Sequence, residues 1–101
     1  MFISTSHGTL AYEEYGQGDT VVLFIHGNSS CRKVFKYQMT SEFYEQYRMI
    51  TFDLPGHGES ENSPHPHQTY TLAGFADATQ ELIETKFVSS LPEIGERIKS
   101  F

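Results

Sequence analysis

Val21-Val22-Leu23-Phe24-Ile25 is the segment that most restricts the fold. It holds five consecutive apolar residues, all β-branched or large, with Asp19 before them and Gly27 after. A strand with one face in water alternates apolar and polar side chains. This one does not, so both of its faces must be covered, as in a parallel sheet flanked by helices. The run is far too short to cross a bilayer, which takes roughly 20 apolar residues in a helix.

The flanking segments fit around such a strand. Phe2-Ile3-Ser4-Thr5, the turn signal His7-Gly8, and the partly alternating Leu10-Ala11-Tyr12-Glu13-Glu14-Tyr15 predict a β-hairpin. Beyond Gly27-Asn28-Ser29-Ser30, the residues Phe35, Met39, Phe43 and Tyr47 recur at i, i+4 intervals. That spacing predicts a helix with Ser29 or Ser30 as N-cap, broken in two at Thr40-Ser41. Arg48-Met49-Ile50-Thr51-Phe52 reads as a second short strand ending at Asp53. Residues 55–70 hold three of the four prolines and two glycines, the composition of a loop. Leu72, Phe75, Ala76, Leu82 and Ile83 then form one helical stripe capped by Thr71. In the tail, Leu91, Ile94 and Ile98 have helical spacing, with Pro92 in a first turn after Ser90. Hairpin, strand, helix, strand, helix is the order of an α/β layer architecture.

Size and charge limit the function. A chain of 101 residues makes one small domain. Thirteen acidic residues against seven basic give a formal charge of −6, which disfavours nucleic acid or an anionic membrane as partner. Cys31 is the single cysteine, so an internal disulfide and a four-thiolate zinc site are excluded. The N-terminus has no basic segment followed by an apolar stretch, so no signal peptide is read there. The expected setting is the cytoplasm.

Two segments carry chemistry. At His26-Gly27-Asn28-Ser29-Ser30 a buried strand meets a helix, and backbone N–H groups in such a turn point outward, ready to receive an anion. On these residues alone an ordinary strand–helix turn, with His26 merely hydrogen-bonded, is the better reading, because Gly and Ser are common wherever a helix starts. The second segment is Asp53-Leu54-Pro55-Gly56-His57-Gly58-Glu59-Ser60, placed directly after the next apolar strand.

Together, and in this order, the two segments resemble the N-terminal part of the α/β-hydrolase superfamily. The helix containing Gly74-Phe75-Ala76-Asp77 is similar to the one that precedes that family's nucleophile strand. The resemblance covers residues 9–86. It implies a truncated α/β-hydrolase sheet: an N-terminal hairpin plus two parallel strands with flanking helices. It also implies that His26, Gly27 and Asn28 form one half of an oxyanion hole. Asn28 would give its backbone N–H and His26 would orient the loop. Losing one such donor costs about 3 kcal/mol of barrier stabilisation. Asp53, Gly56, His57, Gly58 and Ser60 would form a structural loop, with the glycines for tight turns and Ser60 for local hydrogen bonds. No cofactor and no metal are implied.

The family presents its nucleophile in a Gly-x-Ser-x-Gly elbow, followed later by an acid and a histidine base. Gly27-Asn28-Ser29-Ser30-Cys31 comes nearest, but its fifth position is Cys31, whose Cβ would crowd the strand–helix packing. After Lys86 the sequence reads Phe87-Val88-Ser89-Ser90-Leu91-Pro92-Glu93-Ile94-Gly95, with no elbow. Residues 87–101 are therefore a divergent tail, and residues 1–101 are expected to be the N-terminal portion of one hydrolase domain. Alone, this portion is expected to be inactive. It would meet a small-molecule substrate only when completed by the missing C-terminal part.

A non-enzymatic alternative is a module that pairs with a partner strand, or with itself, through an open edge at residues 21–25. The remaining constellations are weaker. His57, His65 and His67 sit on a loop without a rigid ligand-bearing element, so they are expected to be solvated rather than metal-bound. Cys31 is expected to be half-buried near the helix cap. Asp77 is expected at a surface or hydrogen-bonding position, since the triad acid comes later in chain order.

Overall fold

The computed structural model describes residues 1–87 and 99–100. Five strands form one mixed sheet: β1 (Phe2–Thr5), β2 (Gly8–Gly16), β3 (Thr20–Ile25), β4 (Tyr47–Phe52) and β5 (Lys99–Ser100), in the order β1-β2-β4-β3-β5. The N-terminal hairpin is part of this sheet. β1 pairs antiparallel with the first half of β2, from Thr5↔Gly8 to Phe2↔Ala11, and β4 pairs antiparallel with the second half, from Tyr12↔Phe52 to Gly16↔Arg48. β3 and β4 then run parallel along their whole length, from Thr20↔Tyr47 to Ile25↔Phe52.

β3 is covered on both faces, as its unbroken apolar run demands. Val21 and Leu23 join Leu10, Tyr12, Ile50, Phe52, Ala78 and Leu82 in the larger core. Val22 and Phe24 turn the other way, onto Met39, Met49 and the partly buried Phe35. Burying each such side chain stabilises by about 1.5–3 kcal/mol, so the two cores together hold the layers in place.

The far edge of β3 is partly paired. β5 runs parallel to it at Val22↔Lys99 and Leu23↔Ser100, so the edge expected to be open at residues 21–25, with the tail covering part of it, is occupied at its centre. The tail helix expected around Leu91 to Ile98 lies outside the described residues.

The helix expected over residues 30–47 is instead three single turns: a 3₁₀ turn at Arg32–Phe35, α1 at Lys36–Met39, and a second 3₁₀ turn at Glu42–Glu45. Its cap position is Cys31, not Ser29 or Ser30, and no side chain bonds there. The break falls at Thr40-Ser41, where the Ser41 hydroxyl donates to the Gln38 carbonyl at 2.7 Å and accepts from the Phe43 N–H at 3.3 Å. A side chain that satisfies both backbone groups competes directly with the helix ladder. Tyr47 opens β4 rather than closing a helix.

Within the segment read as loop, Pro66–Thr69 forms one helical turn, α2, with Pro66 in its first turn. α3 (Leu72–Phe87) is the one long helix among the described residues. The Thr71 hydroxyl accepts from the Gly74 N–H at 2.9 Å, as a cap should. Its buried face, however, is Gly74, Ala78 and Leu82, whereas Leu72 is 91 % exposed and Ala76 is exposed. The apolar stripe of the sequence merges two faces of the helix. One packs on the sheet, and the other lines the cleft described below. No helix among the described residues is long and apolar enough to cross a membrane.

Candidate functional site

The turn at residues 26–30 leaves the sheet at the carboxyl end of β3, where open α/β sheets place their ligands. His26 is buried and its ring is bonded at both nitrogens. Nε2 accepts from the Leu54 N–H at 3.0 Å, and Nδ1 lies 2.7 Å from the Gly27 carbonyl. An N–H can only donate and a carbonyl can only accept, so the proton sits on Nδ1. His26 thereby pins the start of the turn to the loop that follows β4.

The second half of the turn is tighter. The Ser30 N–H reaches back to the Gly27 carbonyl at 3.2 Å, and Ser29 takes φ +63°, the left-handed region that a serine rarely occupies. The Ser29 N–H donates to His57 Nε2 at 3.2 Å. The Asn28 backbone N–H, between these ties, is paired with no acceptor among the described residues. A Cβ built on Gly27 would meet no described atom within 4 Å. The chain's own packing therefore does not demand glycine there, and the turn's outer side is open.

Beneath the turn lies a charged knot that sequence reasoning did not find. Asp53 is fully buried. Its Oδ1 accepts from the Arg32 backbone N–H at 2.6 Å, and its Oδ2 accepts from Arg32 Nη1 and from the Glu59 N–H, the latter at 2.9 Å. Arg32 is only 8 % exposed, and its other guanidinium nitrogens reach Glu13 at 2.9 Å and Glu59 at 2.7 Å. Burial works to lower the Arg32 pKa, but the hydrogen bonds to Glu59 and Glu13 and the charge of Asp53 outweigh it and hold the guanidinium above its ordinary value. Glu13 lies below the usual carboxylate value, first through its hydrogen bond from Tyr15 and then through Arg32.

The rest of the 53–60 loop is built around this knot. Gly58 has φ +50°, and a Cβ there would collide with the Asp53 carboxylate. Gly56, at φ +73°, faces the Tyr70 hydroxyl. The Ser60 hydroxyl donates to the Asp53 carbonyl at 2.6 Å and accepts from the Ala11 N–H at 2.9 Å, tying the loop to β2.

The turn, His57 and α3 enclose an open cleft of about 1170 Å³, floored by Ile25, Leu54, Phe75, Ala76 and Ile83, with Leu72 at its rim. Asn28 and His57 contribute polar groups to the same wall. The His57 ring lies edge-on to Phe75, with ring centroids 6.0 Å apart.

A family model for the α/β hydrolase fold matches residues 20–88, the stretch that contains β3, β4, the turn and the Asp53 loop. The chain belongs to the α/β-hydrolase family. The AB hydrolase superfamily protein YisY of Bacillus subtilis is 34 % identical over 79 residues, which are 78 % of this chain and 28 % of YisY. Among solved structures, the N-acyl homoserine lactonase AidH, in complex with N-butanoyl homoserine, superposes with a TM-score of 0.81 at 39 % identity. That match covers 85 % of this chain and 31 % of AidH. The Cif epoxide hydrolase from Acinetobacter nosocomialis gives a TM-score of 0.73 at 27 % identity, over 84 % of this chain and 25 % of the hydrolase. The chain thus spans about a third or less of the length of these relatives.

His26, Asn28 and His57 line one cleft wall, with Gly27 between the first two in the turn, whereas Asp53, Gly56, Gly58 and Ser60 do not line it. His65 and His67 are exposed and stand away from it. Cys31 is partly buried. Asp77 is largely exposed and accepts a bond from His7 Nε2 at 2.7 Å, so it anchors the N-terminal hairpin to α3. His7 Nδ1 lies 2.6 Å from the Thr69 hydroxyl, and Glu81 accepts from the Ser6 N–H at 2.8 Å. His7, Asp77 and Glu81 are close enough to hold a cation, but their hydrogen bonds to one another and to Ser6 and Thr69 account for the cluster. The signal for Arg32 was weak in sequence: one basic residue just after a turn, with its acidic partners 19, 21 and 27 positions away.

Proposed function

We propose that this chain supplies the oxyanion-hole half of a hydrolase catalytic centre acting on a carboxylic ester or a related carbonyl bond, and that it is not catalytic alone. The observation that carries this is the Asn28 backbone N–H, which has no acceptor among the described residues. It sits at the carboxyl end of a buried parallel strand, in a turn fixed on one side by His26 and on the other by His57, and it opens onto an apolar cleft. A backbone donor held in place before the reaction costs no reorganisation when negative charge develops on a carbonyl oxygen. His26 and the buried Arg32–Asp53 pair keep that donor rigid.

The cleft supports a partial catalytic unit. At about 1170 Å³ it is larger than a typical small-ligand pocket of roughly 300–1,000 Å³, and its floor is apolar. Such a surface suits the packing of further chain as well as substrate. Lactone and ester chemistry is favoured because the N-acyl homoserine lactonase, at 39 % identity and a TM-score of 0.81, is more similar than the epoxide hydrolase at 27 % and 0.73.

The nucleophile is expected elsewhere. Cys31 stands where the elbow needs its second glycine, and the turn precedes the Asp53–Ser60 loop, which is the order of the oxyanion turn rather than of the elbow. The test is hydrolysis of 4-nitrophenyl acetate by the purified chain beside Ser29→Ala. Equal rates, at the level of imidazole-catalysed background, are expected. Saturable turnover lost in Ser29→Ala would overturn the proposal and make this turn the nucleophile site.

A further inference from the structure

His57 Nε2 has two neighbours, a backbone N–H and a side-chain amide, and its protonation decides which of them it can bond. Its Nδ1 lies 2.9 Å from the Pro55 carbonyl, which can only accept, so Nδ1 holds a proton. Its Nε2 receives the Ser29 N–H at 3.2 Å, which requires a lone pair. The same Nε2 lies 3.4 Å from Asn28 Oδ1, a contact that becomes a hydrogen bond only when Nε2 carries a proton. A neutral ring satisfies Ser29 and favours an Asn28 amide turned over to present its NH₂. An imidazolium satisfies the amide oxygen and leaves the Ser29 N–H without its acceptor.

We propose that His57 is a positioning residue of the turn, and that its protonation exchanges the Ser29 N–H for the Asn28 side chain as the partner of Nε2. The exchange acts where the backbone has least to spare. Ser29 is held at φ +63°, and the tether from its N–H to His57 is the contact that offsets that conformation. Losing the tether frees the peptide that follows Asn28, which adjoins the Gly27–Asn28 peptide that carries the Asn28 N–H. The functional consequence rests on the oxyanion assignment above; the partner exchange itself does not.

The groups that face His57 are few. His26 stacks obliquely at 5.1 Å between ring centroids, but both of its nitrogens are already engaged, with Leu54 and Gly27. Phe75 meets the ring from α3, and Tyr70 shares the cleft wall. No carboxylate is paired with His57 among the described residues.

The experiment is a pH titration of the full 101-residue chain by ¹H–¹⁵N NMR, following the Ser29 backbone amide, the Asn28 side-chain amide and the His57 ring protons. All three are expected to move with one midpoint, the Ser29 proton away from its hydrogen-bonded position as pH falls. His57→Gln keeps an acceptor and removes the titration, so the Ser29 amide should stay bonded at every pH. His57→Phe should hold it in the released position throughout. Ser29 and Asn28 signals that stay flat while His57 titrates would overturn the proposal. So would a Ser29 titration that persists in His57→Gln, since that would assign it to His26. Either failure leaves the oxyanion assignment untouched, because that stands or falls on the Asn28 N–H.

Discussion

Replacing Arg32 by methionine should destabilise the chain more than any other single surface-to-core charge removal among the described residues. The substitution keeps much of the aliphatic stem but takes the guanidinium away from Asp53, whose carboxylate is fully buried. Breaking a buried pair by deleting one partner costs about 3–5 kcal/mol, mostly because the remaining charge is stranded. Asp53 keeps two backbone donors, from residue 32 at 2.6 Å and Glu59 at 2.9 Å, which places the expectation at the lower end, about 3 kcal/mol. For a domain of this size each kcal/mol moves Tm by roughly 4–8 °C, so a fall of about 12–24 °C is expected by thermal circular dichroism. Asp53→Asn removes the charge but keeps an acceptor, and should cost less, about 1–3 kcal/mol. The double variant should then fall short of the sum by about 1–3 kcal/mol, since the two groups act on each other. A Tm for Arg32→Met within about 3 °C of the parent, or a double variant as unstable as the sum, would refute the buried-pair reasoning.

Acid should act through the same knot. Glu13 and Glu59 both have folded-state values below the ordinary 4.5, Glu13 through Tyr15 and then Arg32, Glu59 through Arg32. A depressed carboxylate stabilises the fold above its unfolded value and loses that contribution as pH falls through its folded value. Stability should therefore decline below about pH 4.5, and Glu13→Gln should flatten that limb in Tm-versus-pH scans. Leu82→Ala, which empties a core position under α3, should cost about 2–5 kcal/mol in urea unfolding. Leu72→Ala, at a 91 % exposed position, should stay within about 0.5 kcal/mol. Gly58→Ala should lower stability by at least about 1–2 kcal/mol, from the left-handed backbone alone, before the collision with Asp53 is counted.

Much of the frame was legible because it rests on local pattern. A five-residue apolar run without alternation fixed β3 as a doubly covered strand, and its side chains do divide between two cores. The hairpin was legible from His7-Gly8 between two strand-like runs, and the family from two motifs in order. The parts that were hidden depend on distant partners. Phe35, Met39 and Phe43 are spaced for a helix, but Ser41 satisfies the backbone on both sides of it and breaks the ladder. Leu72, Ala76 and Leu82 look like one stripe because α3 has apolar residues on two sides, one toward the sheet and one toward the cleft. Arg32 has only a weak signature, a basic residue just after a turn, until β2, the turn and the Asp53 loop converge on it.

For the candidate site, sequence placed His26, Gly27 and Asn28 at a strand–helix turn and His57 in the following loop. It did not reveal that His57 holds Ser29, because that contact crosses 28 positions and requires the left-handed backbone at Ser29. It also assigned capping to Ser29 or Ser30, whereas the turn uses those residues to close on Gly27 and His57, and the first 3₁₀ turn begins after Cys31.

We propose the Asn28 backbone N–H as an oxyanion donor that acts together with the rest of a full-length hydrolase. The direct measurement uses a chimera in which residues 1–86 replace the matching N-terminal segment of the AidH lactonase, with which this chain superposes at a TM-score of 0.81. The chimera should open an N-acyl homoserine lactone ring. Replacing the backbone N–H of residue 28 by an ester oxygen through semisynthesis should then lower kcat about 10²–10³-fold with KM little changed. An active chimera whose kcat is indifferent to that single-atom change would contradict the account.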